Sequence, residues 1–497
     1  MKKTILLIFI LVFASCSEQE KITDDFASLP LPKYGKTALE KDFDILVSSL
    51  KEAHTGLYWY SSEMQFDSVV KQQRLLLKDS LNGLQFYNIV APIVAYSKED
   101  HCDISVSGEV SQFLKEKGKF IPLTIINLNQ KPYIIHNADS RYKIDGWELT
   151  AVNGKPIKDI YHHIFNTFAA DGYILSSKYR YLDSTGFAKE YARTIDQPDT
   201  IEITAIHPKT HQKKNFTLKT IGFNQLKAEA QALYKQGILK STKKPANLKT
   251  DGNTAVLTIN TFSNSNYEEA KMDFKKFIKE SFETVQKSGI ENLIIDMREN
   301  GGGSEGNEDY LFSFLTDKPY NKYKYVQASA LSYSFYQYTD YKNEEDYKEL
   351  EADLNKEHYK APDGRILRRP GIQTPEPNQK NPFKGKVYVL AGGWTYSGGA
   401  EFCSLMREHT DAVFIGEEVG GGFYGNTSGY SFTLTLPNTK TEIEIPLLKF
   451  VLDVKKDIAK GRGIMPDYKV QPTIEQFLQG RDVEMDFAKK MIKENKL

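Results

Sequence analysis

Hydrophobic side chains recur at helical spacing near the start of the chain. Phe43, Leu46 and Leu50 mark one face of a helix, and a second apolar stretch runs over residues 86–93. A period of three to four residues is typical of helices with one buried face. The pattern predicts a small helical N-terminal domain over residues 37–115.

The spacing changes after this region, where short apolar runs are separated by turn residues. Strands are predicted at residues 121–126 and 133–135, with closing strands at 200–206 and 214–220. Residues 116–220 are therefore expected to form a compact β-rich domain.

From about Thr254 the pattern alternates between strands and helices. Apolar runs predict strands at residues 255–259, 292–297, 387–391 and 412–415, and the stretch from Phe274 to Val285 carries the apolar stripe of a helix. Alternation of this kind indicates the α/β fold class. We expect residues 221–497 to form this core, with a Tyr-, Lys- and Glu-rich insertion at 319–382 packed over it.

The first residues have the pattern of an export signal. Lys2 and Lys3 precede an apolar run over residues 5–13, which is too short to span a bilayer, and Cys16 follows two small residues. This end resembles a bacterial lipoprotein signal in which Cys16 is lipidated; the alternative is plain secretion after cleavage nearby. Residues 1–16 are then the signal and 17–36 a tether. The expected location is the cell envelope, periplasmic or at the outer membrane or surface, with a lipid anchor at Cys16.

Composition excludes several classes of function. The chain has 497 residues, and 65 Lys and Arg balance 65 Asp and Glu, so no basic surface indicates nucleic-acid binding. Beyond Cys16 the cysteines are Cys102 and Cys403, which are too few for a disulfide framework. No Cys and His cluster has zinc spacing, so no metal site is expected.

One stretch, VYVLAGGWTYSGGAE at residues 387–401, joins a buried strand to a helix through glycines. Ser397 lies where the helix begins, and the unpaired N–H groups there favour an anion. A nucleophilic serine needs this setting, because its attack on an acyl carbon creates an oxyanion. Ser397 is therefore a candidate nucleophile, and the alternative is that it only caps the helix.

Three further stretches carry candidate chemistry. Residues 293–303 lead from a strand into three glycines whose backbone can approach a ligand, and no Lys-Ser/Thr follows as a phosphate-binding P-loop requires. His101 precedes a strand-like run, although a lone histidine is more often structural. Residues 461–467, GRGIMPD, would by themselves indicate only a turn.

Together these stretches resemble the C-terminal processing and tricorn-core family of serine peptidases. The motifs D-x-R-x-N-x-G-G from Asp296, T-x-S ending at Ser397, G-E-x-x-G-G from Gly416 and G-I-x-P-D from Gly463 occur in the order of that family. Residues 146–154, GWELTAVNG, resemble a PDZ domain of bacterial proteases, with Trp147 in place of the usual acidic residue. Such a unit binds an extended peptide by strand addition.

The resemblance implies a crotonase-like (ClpP-like) core of ββα units beside the PDZ-like and helical domains. It implies Ser397 as the nucleophile and an oxyanion hole formed by the N–H of Gly398 and that of Gly302 or Gly303. It also implies a polypeptide substrate and no metal or organic cofactor.

The chain departs from the family at the base and the acid. The lysine base of the processing-peptidase branch is replaced by glycines at 420–422, whereas His101 matches the histidine of the tricorn branch. Glu401 comes one residue later than the usual acid. The tricorn glutamate position reads Lys460, with Asp457 nearby, so Asp457 and Glu401 are both candidates for the orienting acid.

Two alternatives to a histidine-dependent peptidase follow from these departures. A lysine from another segment, Lys449 or Lys460, is the rival to His101 as base. An inactive ligand- or peptide-binding protein on the same scaffold, or an esterase-type acyl hydrolase, is the rival to a peptidase.

Overall fold

The computed structural model of the protein describes residues 25–239, 244–372 and 379–494. The predicted signal at 1–16 and the first part of the tether lie outside these residues. The helices at the start of the described chain are Lys36–Ala53, Glu63–Arg74, Gly83–Ala95 and Gly108–Lys117. Polar caps begin the second and third of these helices: Ser62 and Asn82 each form a capping box with the glutamine three residues later. A short pairing of Lys33–Tyr34 with Leu81–Asn82 ties the region together.

The next region is built on an antiparallel sheet. In spatial order its strands are Leu123–Leu128, Lys131–Asn137, Glu148–Val152, Thr200–Ile206 and Lys213–Lys219, with Lys155–Pro156 paired beside the third. The helices of this region are Ile157–Phe165, Ser176–Tyr181, Gly186–Thr194 and Phe223–Gln236. Strands are thus present where the short apolar runs predicted them. The resemblance to a PDZ domain stays a prediction.

A second sheet, called here the central sheet, runs through the C-terminal half. Its strands in spatial order are Ala246–Asp251, Thr254–Ile259, Asn292–Asp296, Lys386–Ala391, Val413–Gly416 and Tyr468–Lys469. The first pair is antiparallel and the other pairs are parallel. The helices of this half are Asn264–Glu269, Phe274–Lys287, Asn307–Phe312, Gly398–His409, Ile474–Leu478 and Val483–Lys493. The predicted α/β fold class is confirmed.

Because most of its strands are parallel, the central sheet places the loops with candidate catalytic residues at one edge. Asp296 pairs with Leu390, so the two strands end side by side. The glycine loop that follows Asp296 and the loop that carries Ser397 therefore leave the sheet at the same edge.

A third sheet joins distant parts of the chain. Its strands in spatial order are His358–Lys360, Ile366–Arg368, Tyr323–Ala328, Glu442–Leu452 and Gly425–Thr435, and Asp103–Ser105 pairs with the start of the fourth. The first three strands, the 3-10 turn Tyr336–Tyr338 and the helix Glu344–Glu357 lie within the segment predicted as an insertion. The pairing of Asp103–Ser105 fixes the position of the neighbouring His101.

The buried hydrophobic side chains form separate clusters that correspond to the three larger sheets. One cluster of buried side chains joins the N-terminal helices to the third sheet, for example Phe43 and Phe86 with Phe432 and Ile445. Separate clusters fill the central sheet and the antiparallel sheet. Within the ranges described, no helix is both long and apolar enough to cross a membrane.

Candidate active site

Ser397 has a strained backbone at the start of a helix. Its φ of 52° and ψ of −131° lie in a region that side chains other than glycine rarely adopt. Such a conformation costs about 1–3 kcal/mol and is typically kept at functional sites. A sharp strand-to-helix turn of this kind exposes the serine hydroxyl at the edge of the sheet, as in the nucleophile elbow of hydrolases.

Thr395 holds this turn in place from within the protein. Its hydroxyl donates to the carbonyl of Met297 (2.7 Å) and accepts from the N–H of Gly392 (3.0 Å). Thr395 is fully buried. A glycine at this position would make neither bond, which explains why the first glycine of a G-x-S-x-G elbow is replaced here.

Asn300 links the glycine loop to the nucleophile loop. Its side chain accepts from the N–H of Gly302 (2.8 Å) and donates to the carbonyl of Ile259 (3.1 Å), while its own carbonyl accepts from the N–H of Tyr396 (3.0 Å). The asparagine of the D-x-R-x-N-x-G-G motif thus connects the two loops through hydrogen bonds.

Gly302 lies directly against the nucleophile. A Cβ atom on Gly302 would be 2.7 Å from the Cβ of Ser397 and 2.8 Å from the nitrogen of Gly398. The φ of Gly302 is 95°, which also favours glycine. Close approach and backbone conformation both require the absence of a side chain here.

His101 contacts Ser397 across the junction of two sheets. The Nε2 atom of His101 is 3.1 Å from the Oγ atom of Ser397. The His101 ring packs against Tyr396, with ring centroids 5.1 Å apart. Burial lowers the pKa of His101, while the charges of Asp171 and Glu401 act in the opposite direction. The ring is therefore held in the neutral form that accepts a proton.

Asp171 is an acid beside His101 that the sequence did not single out. Its carboxylate accepts from the N–H of Asp100 (3.0 Å) and from the N–H of Gly422 (3.0 Å). It is 1% exposed. Burial raises the pKa of Asp171, and the charge of His101 is the largest effect that lowers it. The Nδ1 atom of His101 is buried and has no hydrogen-bond partner among the described residues.

No motif surrounds Asp171, and nothing in the sequence pattern singles it out. It lies in FAADG, residues 168–172, between two helices of the region predicted as PDZ-like. The one available signal was a single acidic residue that follows three apolar ones and precedes a glycine.

The two acids proposed from the sequence have other surroundings. Glu401 pairs with the ammonium of Lys322 (2.9 Å) and accepts from Asn426 (2.9 Å) and from Tyr323 (3.1 Å). Burial favours its neutral form, but Lys322 and these hydrogen bonds lower its pKa overall. Asp457 lies exposed on the segment after the strand Glu442–Leu452. Among these three acids, the charge of Asp171 has the largest effect on the pKa of His101, followed by that of Glu401.

The lysines considered as alternative bases lie apart from the nucleophile. Lys449 packs over the ring of Trp59, at 4.1 Å from its centroid, and Lys460 is exposed. Within the described chain, His101 is the hydrogen-bond partner of the Ser397 hydroxyl. The place of the family's lysine is also too crowded for a side chain: a Cβ on Gly421 would be 2.5 Å from the Cβ of Ala400.

Two backbone donors remain for an anion. The N–H groups of Gly398 and Gly303 make no hydrogen bond to any described residue. The N–H of Gly302 is already donated to Asn300. The helix that begins at Gly398 directs its dipole toward the same place.

The chain is similar to known proteins in its sequence profile and in its fold. Residues 253–470 match the sequence profile of peptidase family S41. No curated protein sequence matches the chain significantly. Among solved structures, mature CPAF is 14% identical, covers 92% of this chain and 97% of its own, and has a TM-score of 0.60.

Two further structures of the same protein give similar values. Mature CPAF in complex with lactacystin is 14% identical, with coverage of 92% and 98% and a TM-score of 0.61. A mutant of CPAF is 14% identical, with coverage of 92% and 97% and a TM-score of 0.63. At this identity the likeness shows a shared fold that extends over most of both chains. The segment 253–470 therefore matches peptidase family S41, and the fold of the chain is shared with CPAF.

Proposed function

We propose that the protein cleaves polypeptides through an acyl-enzyme formed on Ser397. The observation that carries this proposal is the 3.1 Å contact between His101 Nε2 and Ser397 Oγ at a strained turn. A serine hydroxyl at neutral pH is a weak nucleophile and needs a base within hydrogen-bond distance. His101 meets that requirement.

The reaction follows from these groups. Ser397 Oγ attacks the carbonyl carbon of the scissile peptide bond, and His101 Nε2 takes the hydroxyl proton. The N–H groups of Gly398 and Gly303 donate to the resulting oxyanion. The imidazolium then gives its proton to the leaving amine as the C–N bond breaks. His101 then deprotonates a water molecule that attacks the acyl carbon; the C–Oγ bond breaks, the imidazolium returns its proton to Ser397 Oγ, and the acyl group leaves as a carboxylic acid.

Asp171 takes the role of the orienting acid in this proposal. A negative charge near the imidazole stabilises the imidazolium that forms in each step. Its two backbone hydrogen bonds, from Asp100 and Gly422, hold the carboxylate in one orientation. The N–H of Asp100 also ties Asp171 to the residue that precedes His101.

The location and division of the chain are part of the same proposal. An exported protein with a lipid anchor at Cys16 would hold the peptidase at the cell envelope. We propose domains at 37–115, 116–220 and 221–497, the last with the insertion 319–382. The PDZ-like unit would hold the polypeptide by strand addition. Peptide-dependent protection of one of its edge strands from hydrogen exchange would support this; unchanged exchange would argue against it.

The function is tested by activity-based labelling. A fluorophosphonate should modify the wild-type protein at Ser397 and leave the Ser397→Ala variant unmodified, because only an activated serine reacts. A comparison of newly formed peptide termini with the two proteins would identify substrates. A correctly folded wild-type protein that is not labelled would support an inactive binding scaffold. Turnover of small esters without any peptide turnover would support an esterase.

A further inference from the structure

A cavity of about 220 Å³ lies beside the candidate catalytic pair. Its walls include Tyr396 and Asp100, which directly precede Ser397 and His101 in the chain. The Tyr396 ring lines this cavity and also packs against the His101 ring. A group bound in the cavity would therefore contact the residues that directly precede Ser397 and His101.

The helix Ser176–Tyr181 closes the cavity from the other side. A Cβ atom on Gly393 would be 2.5 Å from the carbonyl oxygen of Ser176, so this helix packs directly on the nucleophile loop. The helix contributes Lys178 and Tyr181 to the walls. The cavity is thus built by the same contacts that position Ser397.

Aromatic side chains are the largest group in the cavity lining. Phe168, Tyr181, Trp394 and Tyr396 line it, and the side chains of Tyr181 and Trp394 are each 42% exposed. Large exposed aromatic rings beside a cavity indicate a binding surface. Pockets for whole drug-sized ligands are about 300–1,000 Å³, so this cavity is suited to a single side chain.

The charges of Asp100 and Lys178 in the walls act on each other, but no hydrogen bond joins these two side chains in the described structure. Asp100 contributes a carboxylate that accepts no hydrogen bond from any described residue, and Asp103 adds a second acidic group. The ammonium of Lys178 donates instead to the carbonyls of Phe165 and Phe168 (2.7 Å for the second). The walls therefore carry two acidic groups and one lysine, and two of the three N–H donors of that lysine are used by these carbonyls.

We propose that this cavity receives a basic side chain, lysine or arginine, of the polypeptide substrate. The alkyl part would pack against the aromatic walls, with a cation–π contact at Trp394 or Tyr181, and the cationic end would pair with Asp100. The inference rests on the peptidase function proposed above, and it adds the class of substrate side chain.

The titration of Asp100 gives the proposal a pH signature. Burial, with the charges of Asp171 and Asp103, raises the pKa of the Asp100 carboxyl to about 8, and Lys178 opposes this rise. A cation pairs with the ionised form, which predominates above that pKa. The preference for a basic side chain should therefore grow as the pH rises from 7 to 9.

Binding to the Ser397→Ala protein tests the cavity without turnover. Alanine-based peptides that carry one arginine, one leucine or one glutamate would be compared by calorimetry. We expect the arginine peptide to bind about 10-fold more tightly than the leucine peptide, and the glutamate peptide to bind weakest. Adding Asp100→Asn should remove most of this preference, whereas Asp251→Asn, at an exposed strand end far along the central sheet, should keep it.

A second variant guards against misfolding of the first. Trp394→Ala changes an exposed side chain and should weaken the arginine peptide several-fold more than the leucine peptide. Equal binding of the arginine and leucine peptides to the Ser397→Ala protein, or an unchanged preference in folded Asp100→Asn protein, would overturn the proposal. Failure of fluorophosphonate labelling with an intact arginine preference would reject the peptidase function alone.

Discussion

His101 and Ser397 are 296 residues apart in the chain, and their side chains meet at 3.1 Å. The strand Asp103–Ser105 pairs with the third sheet and so positions the preceding turn, which contains His101, and Ser397 follows a strand of the central sheet. The contact therefore exists only when both sheets are formed and packed together. This dependence makes activity a sensitive report of the whole fold.

Replacing His101 by alanine should remove nearly all peptide hydrolysis. The loss should be roughly 10²–10⁴-fold if general-base assistance is what is lost. The fold should remain, which thermal unfolding would check. Near-normal hydrolysis by folded His101→Ala protein would reject the assignment and favour a lysine base.

The pH profile of the wild-type enzyme also distinguishes a histidine base from a lysine base. Burial lowers the pKa of His101, and only the neutral ring accepts a proton. The value of kcat/KM should therefore stay high at neutral pH and fall only at a pH below the usual histidine range. A profile that rises instead at distinctly alkaline pH would indicate Lys449 or Lys460.

Replacing Asp171 by asparagine should lower kcat by about 10²–10⁴-fold. Loss of the negative charge should also lower the pKa of His101 further, so the acid limb of kcat/KM moves to lower pH. A merely structural role would not move that limb. Asp457→Asn, on the exposed segment, is the matched comparison and should change neither quantity. The reverse result, with Asp457→Asn inactive and Asp171→Asn active, would restore the acid suggested by the sequence.

A comparison of alanine variants at Gly302 and Gly306 distinguishes the effect of backbone strain from the effect of crowding at Ser397. Both have positive φ, 95° and 93°, but a Cβ on Gly306 would meet no atom within 4 Å, whereas one on Gly302 would press on Ser397. Alanine at either position should cost about 1–3 kcal/mol of stability from strain. Only Gly302→Ala should also abolish fluorophosphonate labelling of Ser397. Equal labelling of the two folded variants would show that Gly302 does not determine the nucleophile's position.

The sequence predicted individual strands, turns and helices better than it predicted the contacts between distant segments. The run Val387–Ala391 and the glycines around Ser397 predicted a strand, a turn and a helix because each depends on neighbouring residues. Asp171 was missed because its role depends on packing of an irregular segment against His101. The long hairpin of Gly425–Thr435 and Glu442–Leu452 was also not predicted, although it pairs with the strand that directly follows the turn containing His101.

Cys16 is the basis of the predicted membrane attachment. Cys16→Ala should block lipidation and move the protein from the membrane fraction to the soluble fraction. Stable attachment generally takes more than one acyl chain, which a bacterial lipoprotein amino-terminus supplies. Fractionation followed by mass spectrometry of the amino-terminal peptide would measure both effects. Wild-type protein recovered entirely soluble and unmodified at Cys16 would show that the signal is of another kind.

Lys322 is a buried cation beneath the helix that begins after Ser397. It is 2% exposed at its side chain and pairs with Glu308 and Glu401. Removing one partner of a buried ion pair leaves an uncompensated charge, which typically costs about 3–5 kcal/mol. Lys322→Met should therefore lower the free energy of unfolding by about that amount.

A surface lysine provides the matched control for this prediction. Lys276 pairs with Glu280 on an exposed helix face, and its side chain is 72% exposed. Lys276→Met should change the free energy of unfolding by no more than about 0.5 kcal/mol, because exposed ion pairs contribute little. Urea unfolding of both variants would measure the difference. Similar small changes in the two variants would mean that Glu308 and Glu401 are stable without Lys322, for instance by taking up protons, since burial favours the neutral form of each. That outcome would show that Lys322 is not the group that keeps Glu401 ionised beside the active site.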